Sequence, residues 1–262
     1  MEFKLIPKIR KALLFVFLFF ACYLASAIPA LAEPYIYVYT GQASTDDSNL
    51  RIIQSSLMTD LTFSDLSYDD RSFTGALYYG YKLGYSPSSI PFLGFELEFF
   101  HFKIYADPSE VVSTKGTLSG GGSISTMQPL GNIVQKFEIS DGVNFVTFNI
   151  VGRHGFVKKK RFPNGLIQVY AGVGLGIEIS HGDSVVDGVA SKGPYQIDDD
   201  PAVQFFAGLR LFLLDLKLDW GNPTLFTEYK YTMAHPDVDI NQGTASVAIN
   251  TNHFIFGLGW HF

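Results

Sequence analysis

The chain has 262 residues and carries 25 acidic against 19 basic residues, a formal net charge of −6 that disfavours nucleic acid as a partner. Its single cysteine excludes a disulfide framework within the chain. Apolar residues make up 47% of the chain, but beyond residue 32 they occur in short alternating segments, which favour β-strands over membrane-spanning helices.

Residues 1–32 have the organisation of a secretory signal peptide. Four basic residues precede an apolar run at 12–24, and Ala30-Leu31-Ala32 is a small-x-small cleavage site. The run is short for a membrane-spanning helix of about 20 residues, so a transmembrane anchor is the less favoured alternative. Cys22 could mark a lipoprotein site, but residues 19–21 match that motif poorly. We therefore predict cleavage after Ala32, which removes the only cysteine and brings the net charge near −9, because four basic residues and one acidic residue leave with the peptide.

Cleavage at this position makes a direct prediction about the mature chain. Sequencing the N-terminus of protein purified from the cell envelope is expected to begin at Glu33, because Ala30 and Ala32 present the small side chains that a signal peptidase requires. A retained N-terminal segment, or a lipid attached to Cys22, would contradict this assignment.

The alternating segments predict eight strands in residues 33–262, which we treat as one barrel domain. Most reach the 9–11 residues that a tilted strand needs to cross a bilayer. An even number suits a closed antiparallel barrel, since lipid cannot satisfy the N–H and C=O groups of an open sheet edge. The predicted strands span residues 35–42, 72–85, 92–105, 144–154, 166–180, 202–212, 224–234 and 252–262.

The connections between these strands alternate in length. The long ones cover residues 43–71, 106–143, 181–201 and 235–251, and the shorter ones cover 86–91, 155–165 and 213–223. In an exported barrel that starts in the periplasm, this alternation places all four long loops outside the cell. For the 213–223 connection, the sequence allows two alternatives: a strand that continues past the membrane, or a loose hairpin.

Alternation within the strands separates an apolar face from a polar one. The interior of an eight-stranded barrel has room only for side chains, so four cations and four anions on the polar face should pair and fill it. We expect Arg210 and Glu228, on adjacent strands, to form one such pair. A narrow gated pore is the alternative, and a soluble lipocalin-like barrel would show the same alternation inside out. The predicted interior charges are Lys82, Glu96, Glu98, Arg153, Glu178, Arg210, Glu228 and Lys230.

The C-terminal strand places Phe254, Phe256, Leu258, Trp260 and Phe262 on one face. Such a strand, ending on an aromatic residue, resembles the closing strand of bacterial outer-membrane β-barrels. The resemblance implies that Phe262 is a signal for the barrel-assembly machinery.

Further motifs resemble the OmpA/OmpX/Opa-like superfamily of small outer-membrane barrels. The segment 208–212, Gly-Leu-Arg-Leu-Phe, and the segment 225–231, Leu-Phe-Thr-Glu-Tyr-Lys-Tyr, look like its penultimate hairpin. The segment 170–176 is similar to its glycine-rich fifth strand. The resemblance implies an all-β, eight-stranded antiparallel transmembrane barrel in the bacterial outer membrane.

These observations predict a non-enzymatic barrel that displays four long surface loops for envelope integrity, adhesion or host interaction. Its partners would be outer-membrane lipids and lipopolysaccharide, the assembly machinery, and an extracellular protein or glycan. We expect no cofactor and no metal. Residues 198–200 are three consecutive aspartates that could hold a cation loosely, but they lack the spaced ligands of a calcium loop, and a solvated acidic loop is the favoured interpretation. The alternatives are a narrow passive pore and a lipid A-modifying enzyme, which would need a Ser–His pair oriented by an acidic residue.

Overall fold

The structure is a computed structural model that describes residues 32–75, 77–198, 200–213 and 221–262. The predicted signal peptide, apart from its last residue, lies outside the described residues, as does most of the 213–223 connection. The predicted all-β antiparallel fold is confirmed. Its eight longest strands are β1 (Ala32–Thr45), β2 (Tyr79–Pro87), β3 (Leu93–Ala106), β4 (Val134–Phe156), β5 (Ile167–Ser180), β6 (Ala202–Phe212), β7 (Asn222–Ala234) and β8 (Ile249–His261).

These strands pair antiparallel, each with its neighbours in sequence, and the last strand returns to the first. Tyr35 pairs with His261 at one end of the β1–β8 seam, and Thr45 pairs with Thr251 at the other. The start of β1, the end of β8 and the described short turns therefore lie at one end of the ring, and the long connections lie at the opposite end. A closed ring leaves no unpaired edge in its wall, as lipid requires.

Two strand boundaries differ clearly from the sequence prediction. β4 begins at Val134, ten residues before the predicted start, because residues 134–143 continue the strand beyond the barrel wall. β2 begins at Tyr79 rather than residue 72, because the chain turns at Gly75, whose φ of 72° lies in the left-handed region.

Side chains alternate between the outside of the ring and its interior. Leu175 points outward with 63% of its surface exposed, whereas Glu98 in β3 points inward and is fully buried. The exposed belt is apolar, and it includes Ile36, Val38, Tyr81, Leu83, Leu97, Ile150, Val173, Leu175, Phe205, Leu209, Leu225, Phe254, Phe256 and Leu258.

Three of the four long connections, expected to be polar loops, instead fold together into a second sheet. We call this the outer sheet. Its six antiparallel strands follow the order Asp237–Ile240, Gly243–Val247, Ser48–Gln54, Thr59–Leu66, Val111–Thr117 and Ser123–Pro129. Short 3-10 turns lie at Ser55–Leu57 and Leu130–Asn132.

The outer sheet has an apolar core because its strands also alternate. Leu50, Ile52, Leu61 and Phe63 are completely or almost completely buried. They belong to one buried cluster with side chains of the extended strands β3 and β4, such as Ile104. Burying a side chain of this size stabilises the fold by roughly 1.5–3 kcal/mol, so the sheet is an ordered part of the molecule.

The fourth long connection extends the barrel wall. Its hairpin, Asp183–Val186 and Val189–Lys192, pairs with the first residues of β4, and Gln196–Ile197 pairs with the end of β5. Tyr68–Asp69 adds a short strand to the end of β3. At the end of this extension, Lys192 and His181 both contact the Asp141 carboxylate, at 2.9 and 3.0 Å. The hydrogen bond from Lys192 lowers the pKa of Asp141.

None of the helical segments within the described ranges has the length and apolar character needed to cross a membrane.

Candidate functional site

The barrel interior holds six charged side chains in mutual contact. We call them the charge cluster: Lys82, Glu96, Glu98, Arg210, Glu228 and Lys230. Each lies at an inward position of β2, β3, β6 or β7, and each is buried. The three cations balance the three anions, which lowers the cost of burying all six.

Glycines make the room that these long side chains and their aromatic neighbours need. The rings of Tyr35 and Tyr39 lie directly over Gly84 and Gly80 of β2, and a Cβ atom at either glycine would clash with the ring. Glycine at these positions lets β1 place two tyrosine hydroxyls in the middle of the interior.

Glu98 is the most highly coordinated member of the cluster. Its Oε1 accepts short hydrogen bonds from the Lys230 ammonium and the Tyr39 hydroxyl. Its Oε2 accepts from Asn149 Nδ2 at 2.9 Å and from Gln204 Nε2 at 2.7 Å. Four donors from four different strands therefore converge on this one carboxylate.

Lys82 connects the three carboxylates. Its Nζ lies 2.5 Å from Glu228 Oε2, 3.6 Å from Glu96 Oε2 and 3.7 Å from Glu98 Oε1. The same ammonium sits 4.7 Å from the centre of the Phe206 ring, a cation–π distance.

Arg210 has different partners from the expected one. Its Nη2 lies 3.8 Å from Glu96 Oε1, and its guanidinium lies within 5.1 Å of the ring centres of Tyr35, Tyr37 and Tyr170. Glu228, which we expected to pair with it, turns to Lys82. The register explains the difference, since Arg210 pairs with Phe226 and Glu228 pairs with Gly208, two positions nearer the outer sheet.

Arg153 lies apart from the charge cluster, near the start of β1 and the end of β8. Its Nη2 donates to Glu33 Oε2 at 2.7 Å, and its Nε donates to the Pro91 carbonyl at 2.7 Å. Glu33 Oε1 contacts His261 Nδ1 at 2.8 Å, and His261 Nε2 contacts the Tyr37 hydroxyl at 2.5 Å. This chain of contacts ties β1, β4 and β8 together. The sequence analysis did not select Glu33. It lies two residues before Tyr35, so the alternation of the first strand places both side chains on the same face, and this was a usable signal.

Glu178 is also separate from the cluster. It lies buried near the end of β5, close to the outer sheet, where its neighbours are Ser180 and Asp198 rather than members of the cluster. Its backbone carbonyl accepts from the Asp198 N–H at 3.1 Å. Of the eight predicted interior charges, the structure thus brings six together and places two elsewhere.

The side-chain partners of the histidines, within the described residues, do not include the serine that the enzyme alternative requires. The pairs within the described residues are His101 with Asn144, His181 with Asp141, His253 with Thr232, and His261 with Glu33 and Tyr37. His154 and His235 are exposed. Groups of three or more acidic, cysteine or histidine side chains suited to a metal ion do not occur in the described ranges.

Phe262 lies just beyond β8, at the end of the barrel where β1 starts and β8 ends. Its side chain is exposed, and its backbone N–H donates to the Pro34 carbonyl at 3.0 Å. The aromatic ring is therefore displayed on the outer wall while the backbone is fixed to the first strand.

The charge cluster spans the interior of the barrel. Its contacts and those of its hydrogen-bonding neighbours join side chains of β1, β2, β3, β4, β6 and β7 across the interior. The network therefore cross-links the barrel wall through its interior.

No protein-family model and no curated protein matches this chain. Among solved structures, the chain is similar to small outer-membrane β-barrels, the class that its sequence resembles. Neisserial surface protein A (NspA) shares 12% identity over 87% of this chain and 97% of that chain, with a TM-score of 0.40. AlkL, solved in lipid bilayers, shares 13% over 90% and 93%, with a TM-score of 0.38. OprG from Pseudomonas aeruginosa shares 14% over 88% and 97%, with a TM-score of 0.41. The barrel assignment itself rests on the strand pairing of this chain.

Proposed function

We propose that this protein is a non-enzymatic β-barrel of the bacterial outer membrane that holds a folded outer sheet at the cell surface. The observation that carries the proposal is the closed ring of strands with an apolar belt outside and a filled, charge-balanced interior. In water, that belt would be a large exposed apolar surface, which soluble monomers avoid. In lipid, the same belt is the stable arrangement.

The outer sheet is the part that would meet partners outside the cell. Its edge strand Ser123–Pro129 is uncharged and mostly exposed, and it presents the apolar side chain of Met127, with that of Val111 on the neighbouring strand. Contact with an extracellular protein or glycan fits this mixed polar and apolar surface. Outer-membrane phospholipid and lipopolysaccharide would surround the wall below, and a role in envelope integrity, adhesion or host interaction follows from such a placement.

Membrane placement is tested by flotation of the refolded chain 33–262 with phosphatidylcholine vesicles. We expect the protein to float with the vesicles and to resist extraction by high salt, because the apolar belt is inserted. A soluble monomer without detergent would contradict the proposal.

Single-channel recording in a planar bilayer tests the filled interior. We expect no stable conductance steps from the intact protein, because the charge cluster and its neighbours cross-link the lumen. Reproducible steps would favour the passive pore instead. A variant that lacks the outer sheet is recorded as a second arm. Conductance that appears only in this variant would mean that the outer sheet, and not the charge cluster, blocks the barrel.

The proposed assembly role of Phe262 predicts a separation of two measurements. Deleting Phe262 is expected to lower the amount of protein in the outer membrane severalfold, while the barrel refolded in detergent keeps nearly all its stability. One terminal side chain contributes at most about 1.5–3 kcal/mol of burial, and this one is already exposed. Fractionation of cells measures the first quantity, and heat-dependent gel mobility measures the second.

Phe262→Tyr is the matched control for this deletion, since it keeps an aromatic ring at the same position. It should assemble like the original protein. Normal outer-membrane levels after the deletion would remove the assembly role from Phe262.

A further inference from the structure

The turn between β4 and β5 is strongly positive, whereas the protein as a whole is negatively charged. Residues 158–161 are Lys-Lys-Lys-Arg, in a chain whose predicted mature part has a net charge near −9. All four side chains are exposed, and Lys158, Lys159 and Lys160 form no ion pair with another described residue. We call residues 157–166 the basic turn.

The basic turn has a fixed conformation. The Lys159 N–H donates to the Phe162 carbonyl at 3.2 Å, and the Phe162 N–H donates back to the Lys159 carbonyl at 2.9 Å. The Phe162 side chain is buried, and its ring centre lies 5.4 Å from that of Phe212. The cations are therefore held at the end of the barrel where β1 starts and β8 ends.

A small pocket opens beside the basic turn. It has a volume of about 110 Å³ and is lined by Phe92, Arg153, His154, Lys158 and Asn164, among others. The Arg153 side chain is only 4% exposed, and its Nη1 has no hydrogen-bond partner among the described residues. A volume of a few water molecules, with an arginine, a lysine, a histidine and an amide in its wall, fits one phosphate group.

Exposed aromatic residues place this pocket at the membrane interface. Phe92 lines it, and Phe156 is the last outward-facing residue of β4, opposite the outward-facing Ile167. Phe92, Phe156 and Phe262 are each about half exposed or more and lie at the same end of the barrel. Aromatic rings of this kind mark the boundary between hydrocarbon and headgroups.

From this juxtaposition we infer that the pocket and the basic turn bind the headgroup phosphate of an anionic phospholipid in the periplasmic leaflet. The acyl chains lie against Phe92 and Phe156, and the phosphate lies between Lys158 and Arg153. The remaining cations of the turn attract the negative surface of the leaflet. The inference rests on the proposed placement in the outer membrane.

Native mass spectrometry of the refolded chain 33–262 in a neutral detergent tests the inference. Phosphatidylglycerol and phosphatidylcholine are added in parallel arms, and the retained lipid adducts are counted. We expect phosphatidylglycerol to be retained in preference. The variant Lys158→Gln/Lys159→Gln should weaken its binding about fivefold for each cation removed, whereas Lys158→Arg/Lys159→Arg should keep it.

The matched control is Lys115→Gln/Lys192→Gln, which removes the same charge from exposed positions at the outer end and should change binding less than twofold. Equal retention of the two lipids, or equal loss in the control variant, would overturn the inference. In a third arm, inorganic phosphate is added to the protein loaded with phosphatidylglycerol, and displacement of the lipid by it would identify a free-anion site instead. Flotation with phosphatidylcholine vesicles reports on the membrane placement separately, so a barrel that floats without preferring phosphatidylglycerol would lose this inference and keep the proposed function.

Discussion

Replacing Glu98 with glutamine is expected to lower the free energy of unfolding of the barrel in lipid vesicles by about 3–5 kcal/mol. Both carboxylate oxygens accept hydrogen bonds, from Lys230 and Tyr39 on one side and from Asn149 and Gln204 on the other. An amide of the same shape must turn its NH₂ group towards one of these donor pairs. The substitution also leaves three buried cations against two anions.

A double-mutant cycle separates the pair from its surroundings. Lys230→Met alone should also destabilise the barrel, because Glu98 then relies on the more distant Lys82 at 3.7 Å. The combined variant Glu98→Gln/Lys230→Met should lose less stability than the sum of the two single losses. Each single variant leaves one charged partner buried without the other, whereas the combined variant removes both charges. Unfolding by denaturant, followed by tryptophan fluorescence, measures all three variants.

The Arg51–Asp60 pair of the outer sheet provides the control. Its side chains make a bidentate contact at 2.9 and 3.0 Å, but about half of each side chain is exposed to solvent. Removing either partner should therefore change stability by no more than about 1 kcal/mol. Two results would contradict this interpretation: a loss of stability at Glu98 as small as that at Arg51 or Asp60, or losses at Glu98 and Lys230 that simply add. Either result would mean that water reaches the charge cluster and that the interior is not filled.

The barrel wall could be predicted from the sequence because lipid and a narrow interior impose opposite demands on alternate residues. β6 shows this clearly, since Leu209 and Leu211 face outward while Arg210 faces inward, and its predicted bounds match the structure. Alternation fixes the face of each residue but not its height in the barrel. Arg210 therefore meets Glu96 across the lumen rather than Glu228 on the adjacent strand.

The outer sheet could not be predicted in the same way, because its strands come from three separate connections and pair only in three dimensions. Local signals were present, for example the alternating Leu50 and Ile52, and Leu61 and Phe63. They are short and lie among Asp, Ser and Thr residues, which favour turns. Their burial depends on partners more than 100 residues away, such as the strand Gly243–Val247 beside Ser48–Gln54.

Placing arginine at Leu175 should destabilise the barrel by about 2–4 kcal/mol in lipid vesicles. Leu175 lies in β5 between Phe148 of β4 and Val203 of β6, and it faces outward from the middle of the wall. If lipid surrounds the wall, the guanidinium must either enter hydrocarbon or distort the bilayer around it. Unfolding by denaturant in vesicles of defined thickness measures the loss.

Met127→Arg is the matched control, because the two side chains are almost equally exposed, at 63% for Leu175 and 62% for Met127. Met127 lies in the outer sheet, where water is expected on its exposed side, so its replacement should change stability by less than about 0.5 kcal/mol. The exposed fraction and the apolar character of the side chain are alike at the two positions, while the proposed surrounding medium differs. A loss at Leu175 as small as that at Met127 would mean that water contacts both, and the belt around the barrel would then need a protein partner in place of lipid.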